Sequence, residues 1–171
     1  LEQARQRGVP IFTHAQALAE LVAKQWVVAV AGVGGKSTVS AMLAFIAERA
    51  GFPAGYAVGV GEILGLARTG RLPTAATWFI LEADEYADNP YLVRAGQASL
   101  RPRFSYFQPE VVICTNLAFD HPDVYSSVAE TRAQFARFFR QIKRGGTLIW
   151  NGDDEILAEL VTTLRRERAD L

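Results

Sequence analysis

The chain has 171 residues, half of them hydrophobic, and its 18 basic residues are balanced by 18 acidic residues. This length predicts one domain, and the composition provides enough apolar side chains for a sizeable core. The even charge balance, without a basic tract, argues against nucleic-acid binding. No apolar run approaches the roughly 20 residues that a membrane-spanning helix needs, so we expect no membrane insertion.

Cys114 is the single cysteine, so no disulfide can form within the chain. This cysteine usage fits a reducing compartment, and we expect a cytoplasmic protein. The first residues carry neither an initiator methionine nor a signal-peptide pattern, and we therefore expect a fragment of a longer chain.

Residues 1–9 are polar and lack periodicity, which predicts a linker or the end of a preceding segment. The domain itself is predicted to cover residues 10–171. Thr13 and Gln16 have the spacing of a capping box, which predicts that a helix begins there and runs to about Lys24.

The stretch from Val27 to Thr38 is the most informative part of the chain. Val27–Val30 has the composition of a strand buried on both faces, and apolar residues at helical spacing predict a helix over 37–50. Between them lies a turn rich in glycine, which ends in a lysine and two hydroxyl residues: Gly32, Gly34, Gly35, Lys36, Ser37 and Thr38. Successive backbone N–H groups beside a helix N-terminus form an anion site.

We predict that this turn binds the triphosphate of a nucleotide and that the hydroxyl groups of Ser37 and Thr38 can reach Mg²⁺. The alternative interpretation is a tight strand-to-helix connection without a ligand. The common P-loop has a glycine five residues before Gly35, where this chain has Val30. The loop therefore opens at Gly32 and is short, which points away from ordinary kinases and GTPases.

The middle of the chain contains two predicted strands and two predicted loops. Gly55–Val58 is predicted as a short strand, and residues 59–74 form a loop rich in glycine. Thr77–Leu81 is a predicted buried strand that runs straight into the acidic turn Glu82–Glu85. Residues 86–108 lack periodicity and predict a long loop, which in a small domain is usually functional or mobile.

The last third of the chain alternates strands with helices. Val111–Thr115 is a predicted strand, followed by a polar connection, and Ser127 begins a helix with Val128, Phe135, Phe138 and Ile142 expected to point inward. A strand over Thr147–Trp150 and a final helix follow. This alternation predicts an α/β, P-loop-containing fold with a mostly parallel sheet and helices on both faces.

Parallel strands bring their C-terminal ends to one edge of the sheet, where ligands bind. We therefore expect the glycine-rich turn, Glu82 and residues 116–123 to converge. Glu82 is the first choice as a Mg²⁺ ligand because it directly follows a buried strand, although an acidic turn in solvent is the alternative. His121 is either a functional group or an ordinary surface histidine. Asn116 either orients a phosphate or water, or merely caps its turn.

Three motifs, in this order and spacing, resemble the central ATPase domain of the Mur ligases: Gly32–Thr38, Glu82–Glu85 and Thr115–Asp123. The resemblance covers nearly the whole chain. The Glu-Ala-Asp-Glu motif is similar to that of the UDP-N-acetylmuramate–L-alanine ligase branch. Together with Tyr86 and Phe119–Asp123, it leans toward the related murein-peptide-recycling ligases.

The resemblance implies ATP and Mg²⁺ as cofactors and an amide-forming reaction through an acyl phosphate. It implies that Lys36 holds the β- and γ-phosphates, that Ser37 or Thr38 binds one Mg²⁺ together with Glu82, and that His121 binds a second. The implied partners are a UDP-N-acetylmuramate-type substrate and an amino acid or peptide.

The chain also departs from the family pattern. Val33 and Gly34 replace the threonine and the histidine or asparagine that usually lie inside the loop, so only backbone contacts remain there. An inserted stretch around residues 87–105 lengthens the segment before Asn116, and the domain is expected to be incomplete at its C-terminal end. Two alternatives stay open: another ligase of the superfamily, such as folylpolyglutamate synthase, and a non-catalytic P-loop nucleotide-binding module.

Overall fold

The computed structural model describes residues 2–171. Its helices are α1 (Glu2–Gln6), α2 (His14–Val22), α3 (Lys36–Arg49), α4 (Pro90–Arg94), α5 (Val128–Arg140) and α6 (Glu155–Glu167), with a 3₁₀ turn at Arg103–Tyr106. Its strands are β1 (Trp26–Ala31), β2 (Ala54–Ala57), β3 (Gly70–Arg71), β4 (Trp78–Glu82), β5 (Val111–Cys114) and β6 (Thr147–Trp150).

The six strands form one sheet in the order β3-β2-β4-β1-β5-β6. All neighbouring pairs are parallel except β2 with the two-residue edge strand β3. Val30 of β1 is in register with Glu82 of β4, and Ala31 with Cys114 of β5. The three central strands therefore end at the same level, and the predicted mostly parallel α/β sheet is confirmed.

Helices cover both faces of the sheet, as predicted. One face buries β1, β4 and β5 side chains such as Ala29, Leu81 and Val112 against helices α2, α5 and α6. On the other face, α3 packs on Tyr56 and Ile80 through the small residues Ala44 and Ala47. Alternate residues of the strands point to opposite faces, so apolar side chains serve both layers.

The large apolar residues of α3 do not form its buried face. Met42 is 57% exposed and Ile46 is 58% exposed, whereas Ser40, Ala44 and Ala47 are buried. Small side chains let this helix approach the sheet closely, and the large apolar residues are left outside. Val128 of α5, which the sequence predicted to point inward, is 39% exposed, because it occupies the first position of that helix.

Two predicted loops contain regular structure. The loop over residues 59–74 includes β3, which pairs antiparallel with β2. The segment over residues 86–108 holds α4 and the 3₁₀ turn, and Phe104 of that turn stacks on Phe138 with 4.5 Å between ring centroids. Aromatic burial therefore fixes the end of a segment that lacks sequence periodicity.

The ends of the described chain and of the sheet complete the fold. Helix α1 lies within the predicted linker 1–9 and has no buried residue, and the predicted boundary after residue 9 stays a prediction. The sheet edges are β3 and β6, and Ile149 of β6 is 51% exposed. Across residues 2–171, none of the helices combines the length and apolar character that crossing a bilayer requires.

Candidate functional site

The glycine-rich turn links β1 to α3 through backbone conformations that favour glycine. Gly32 has φ +129° and Gly35 has φ +81°, both in the range that side chains disfavour. A Cβ atom on Gly32 would lie 2.1 Å from the Thr115 Oγ1 atom. The turn therefore needs glycine at position 32 both for its backbone conformation and for its contact with the end of β5.

Residues that follow β5 hold this turn in place. The Thr115 hydroxyl donates to the Gly34 carbonyl at 2.5 Å, and Asn116 Oδ1 accepts the Gly34 N–H at 2.8 Å. The Asn116 carbonyl also accepts the Val33 N–H at 3.3 Å. Asn116 thus holds the turn by accepting hydrogen bonds from two of its backbone N–H groups. Its predicted contact with a bound nucleotide stays a prediction.

Gly34 occupies a position beside the Asn116 side chain. A Cβ atom there would lie 3.2 Å from Asn116 Nδ2, tighter than an ordinary van der Waals contact. The Asn116 amide therefore lies in the space next to position 34.

Ser37 and Glu82 meet at the start of α3. The Ser37 hydroxyl donates to Glu82 Oε1 at 2.8 Å, and the Gly59 N–H donates to Glu82 Oε2 at 2.7 Å. A hydroxyl and a carboxylate oxygen are hard ligands of the kind that Mg²⁺ prefers. Of the two hydroxyl residues predicted to reach Mg²⁺, Ser37 contacts Glu82, and no hydrogen bond from Thr38 to Glu82 occurs within residues 2–171.

Lys36 forms an ion pair with Glu85, a residue that the sequence did not single out. The Lys36 ammonium lies 2.8 Å from Glu85 Oε2, and it donates hydrogen bonds to Oε1 at 3.1 Å and to the Val33 carbonyl at 3.4 Å. The Glu85 side chain is 1% exposed and that of Lys36 is 12% exposed. Burial raises the pKa of the Glu85 carboxyl, and the charge of Lys36 opposes that rise.

His121 lies next to the same carboxylate. Its Nε2 atom is 3.2 Å from Glu85 Oε1 and 3.8 Å from Asp120 Oδ2, and its backbone has φ +57°, which is unusual outside glycine. Ligand atoms of Glu85, Asp120 and His121 all lie within 4.8 Å of one another. One imidazole and two carboxylates could hold a divalent cation, so these donors fit the second metal predicted for His121.

Two further contacts fix the loop that carries His121. Asp154 caps α6 by accepting the Leu157 N–H at 2.9 Å, and its other oxygen accepts the Leu117 N–H at 2.7 Å. The buried Tyr125 hydroxyl donates to the Glu85 backbone carbonyl. The loop is thereby attached to helix α6 and to the acidic turn.

A cavity of about 300 Å³ opens beside Glu82 on the face that carries α2. Apolar walls and a few polar groups line it, including His14, Leu18, Thr69, Asp84, Arg103 and Phe107. Arg103 forms an ion pair of 2.6 Å with Asp84. The cavity therefore combines apolar walls with a cation at the edge of the sheet where Glu82 lies.

The predicted residues converge as the parallel sheet requires. Four predicted residues lie at one edge: Lys36, Ser37, Glu82 and His121. Ser37 is hydrogen-bonded to Glu82, and Lys36 and His121 both contact Glu85. The sequence analysis missed the partners Glu85 and Asp120. Both lie inside motifs that it noted, but spacing alone does not tell which acid of an acidic turn is buried.

The fold and this edge define a P-loop-containing α/β domain. The family model of the Mur ligase middle domain matches residues 30–170. The chain belongs to the Mur ligase middle domain family.

Individual relatives agree with this assignment. The UDP-N-acetylmuramate–L-alanine ligase of Frankia casuarinae is 34% identical over 167 residues, which cover 96% of this chain and 30% of that protein. The enzyme of the same name from Roseiflexus castenholzii is 35% identical over 154 residues, which cover 90% of this chain and 29% of that protein. The chain thus spans about 30% of the length of these curated relatives.

A solved structure extends the comparison. The UDP-N-acetylmuramate:L-alanyl-gamma-D-glutamyl-meso-diaminopimelate ligase from Neisseria meningitides superposes with a TM-score of 0.80 at 28% identity. The match covers 95% of this chain and 50% of that chain. The named relatives therefore include ligases for a single amino acid and for a peptide.

Proposed function

We propose that this chain is the ATP-binding domain of an ATP-dependent amide ligase that acts in peptidoglycan synthesis or recycling. The observation that carries the proposal is the convergence of Lys36, the Ser37–Glu82 pair and the Glu85–Asp120–His121 cluster at one edge of the sheet. Membership of the Mur ligase middle domain family supports ATP-dependent ligation as the reaction at this edge. The names of the curated relatives support UDP-N-acetylmuramate as the acceptor.

In the proposed reaction, the γ-phosphoryl group of ATP passes to the muramyl carboxylate and leaves ADP. An amine then attacks the acyl phosphate, so that an amide forms and inorganic phosphate leaves. Phosphoryl transfer of this kind depends mostly on positioning and on neutralising charge. The cavity beside Glu82 is our proposed place for the acceptor because Glu82, the residue assigned to one Mg²⁺, lines it.

Each residue of the edge has a proposed part in this reaction. The turn from Gly32 to Gly35 presents backbone N–H groups, and Lys36 adds a positive charge for the β- and γ-phosphates. Ser37 and Glu82 would hold one Mg²⁺, and His121 with Glu85 and Asp120 would hold a second. Such ions, when bound, stabilise the charge that develops on the transferring group.

The test is product analysis on the full-length protein. It would be incubated with ATP, Mg²⁺ and UDP-N-acetylmuramate, and either L-alanine or the tripeptide L-alanyl-γ-D-glutamyl-meso-diaminopimelate would be added. We expect ADP and one amide product, identified by mass spectrometry. A preference for L-alanine would indicate synthesis, and a preference for the tripeptide would indicate recycling. A parallel incubation with ATP, Mg²⁺, a folate and glutamate tests the folylpolyglutamate synthase alternative. Nucleotide binding without product in either incubation would favour the non-catalytic module.

A further inference from the structure

The P-loop lysine of this chain has its own internal counter-ion. Both oxygens of Glu85 lie within 3.1 Å of the Lys36 ammonium, and the carboxylate is almost fully buried. A lysine ammonium has three N–H donors. Lys36 already donates to Glu85 and to the Val33 carbonyl. A phosphate would therefore have to share the ammonium group with Glu85 or displace Glu85 from it.

We propose that Glu85 is a positioning residue that competes with the nucleotide for Lys36. The proposal rests on the proposed function, because it takes the bound ligand to be a nucleoside triphosphate. A phosphate at Lys36 would bring further negative charge next to a buried carboxylate. Charges in such a place are screened only weakly by solvent and salt, so their repulsion opposes binding.

Glu85 cannot simply turn away from an incoming phosphate. The Tyr125 hydroxyl holds its backbone carbonyl, and His121 Nε2 lies 3.2 Å from its Oε1 atom. Its Oε2 atom is buried and faces the ammonium without hydrogen-bond geometry. The carboxylate is therefore fixed beside Lys36 by two residues of the loop between β5 and α5, and a nucleotide that binds Lys36 has to compete with an ion pair that is already formed.

A purely structural role for Glu85 makes the opposite prediction. If the ion pair only holds Lys36 in the orientation that binds phosphate, Glu85→Gln should weaken nucleotide binding. If Glu85 competes for Lys36, the same substitution should strengthen binding when no divalent cation is present. The direction of the change therefore separates the two roles.

The experiment is calorimetric titration of the full-length protein with ATP in excess EDTA. We expect Glu85→Gln to bind ATP about tenfold more tightly than the wild type, as for the loss of one close charge pair. Glu85→Asp keeps the charge but shortens the side chain, and we expect a smaller rise. It also provides the test if Glu85→Gln does not fold.

The matched control is Asp84→Asn, which removes the same charge from the same turn. Asp84 pairs with Arg103 and not with Lys36, so we expect less than a twofold change. Unchanged or weaker ATP binding by Glu85→Gln, or an equal gain for Asp84→Asn, would overturn the proposal. A wild-type protein that binds no ATP even with Mg²⁺ would instead overturn the proposed function, and this inference with it.

Discussion

At the scale of single residues, Gly32 shows most directly how the sequence builds the site. Its φ of +129° and the 2.1 Å that would separate an added Cβ from Thr115 Oγ1 are independent obstacles to any side chain. Thr115 also donates to the Gly34 carbonyl, so a shift of Thr115 would disturb the turn itself. The turn can thus adopt this conformation only because position 32 has no Cβ atom.

We predict that Gly32→Ala lowers the free energy of unfolding by about 1 to 3 kcal/mol and weakens nucleotide binding, because the backbone becomes strained. Urea denaturation and ATP titration measure the two effects. The matched control is Gly61→Ala, since Gly61 has ordinary φ and a Cβ added there would meet no atom within 4 Å. Equal behaviour of the two variants would show that the turn accepts a side chain.

The Lys36–Glu85 pair gives a second prediction at this scale. Removing one member of a buried pair leaves the other charge without compensation. We expect Lys36→Met to lower the free energy of unfolding by about 3 kcal/mol, because Glu85 is 1% exposed. Adding Glu85→Gln to that variant should restore most of the loss. Urea denaturation checks this, and a double variant no more stable than Lys36→Met would contradict it.

At the scale of elements, the segment over residues 86–108 consists of two unlike halves. Helix α4 has no buried residue, and Tyr91 within it is 79% exposed. The 3₁₀ turn instead inserts Phe104 against Phe135 and Phe138. The backbone N–H group of Phe104 also donates to the Asp84 carbonyl of the acidic turn, and that of Arg103 donates to the Tyr86 carbonyl just after it.

Phe104 should therefore contribute strongly to stability. We predict that Phe104→Ala lowers the free energy of unfolding by about 3 to 5 kcal/mol, the usual cost of emptying a buried aromatic site. Phe12→Ala is the matched control, because Phe12 is 57% exposed, and it should change stability by less than about 0.5 kcal/mol. Chemical denaturation of both variants gives the comparison, and a small effect at Phe104 would contradict this account of the segment.

Hydrogen exchange should divide the same segment. We expect the backbone amides of residues 91–98 to exchange rapidly, because α4 is short and exposed. Amides of residues 103–107 should exchange slowly, since four of them donate backbone hydrogen bonds and Phe104 and Phe107 are buried. Mass spectrometry of peptides from the two halves measures this difference, and uniform exchange across residues 86–108 would argue against it.

At the scale of the whole molecule, the sequence allowed the parallel sheet and the edge that carries the candidate site to be predicted, because apolar strands, glycine-rich turns and capping residues are local signals. Glu82 and His121 were predicted at that edge because each follows a predicted strand of a parallel sheet. The apolar spacing that predicted helix α3 does not identify its buried face, because Ala44 and Ala47 pack on the sheet while Met42 and Ile46 stay exposed. The partner of Lys36 is 49 residues away, and local patterns carry no information on such a pairing.

The two edges of the sheet differ in how they would meet another polypeptide. Strand β3 is two residues long and antiparallel, so it offers a new strand almost no template. Within residues 2–171, β6 pairs on one side only, with β5, and Ile149 at its middle is half exposed. When this chain is concentrated by itself, association should begin by strand addition along β6, and Ile149→Lys is the change most suited to prevent it.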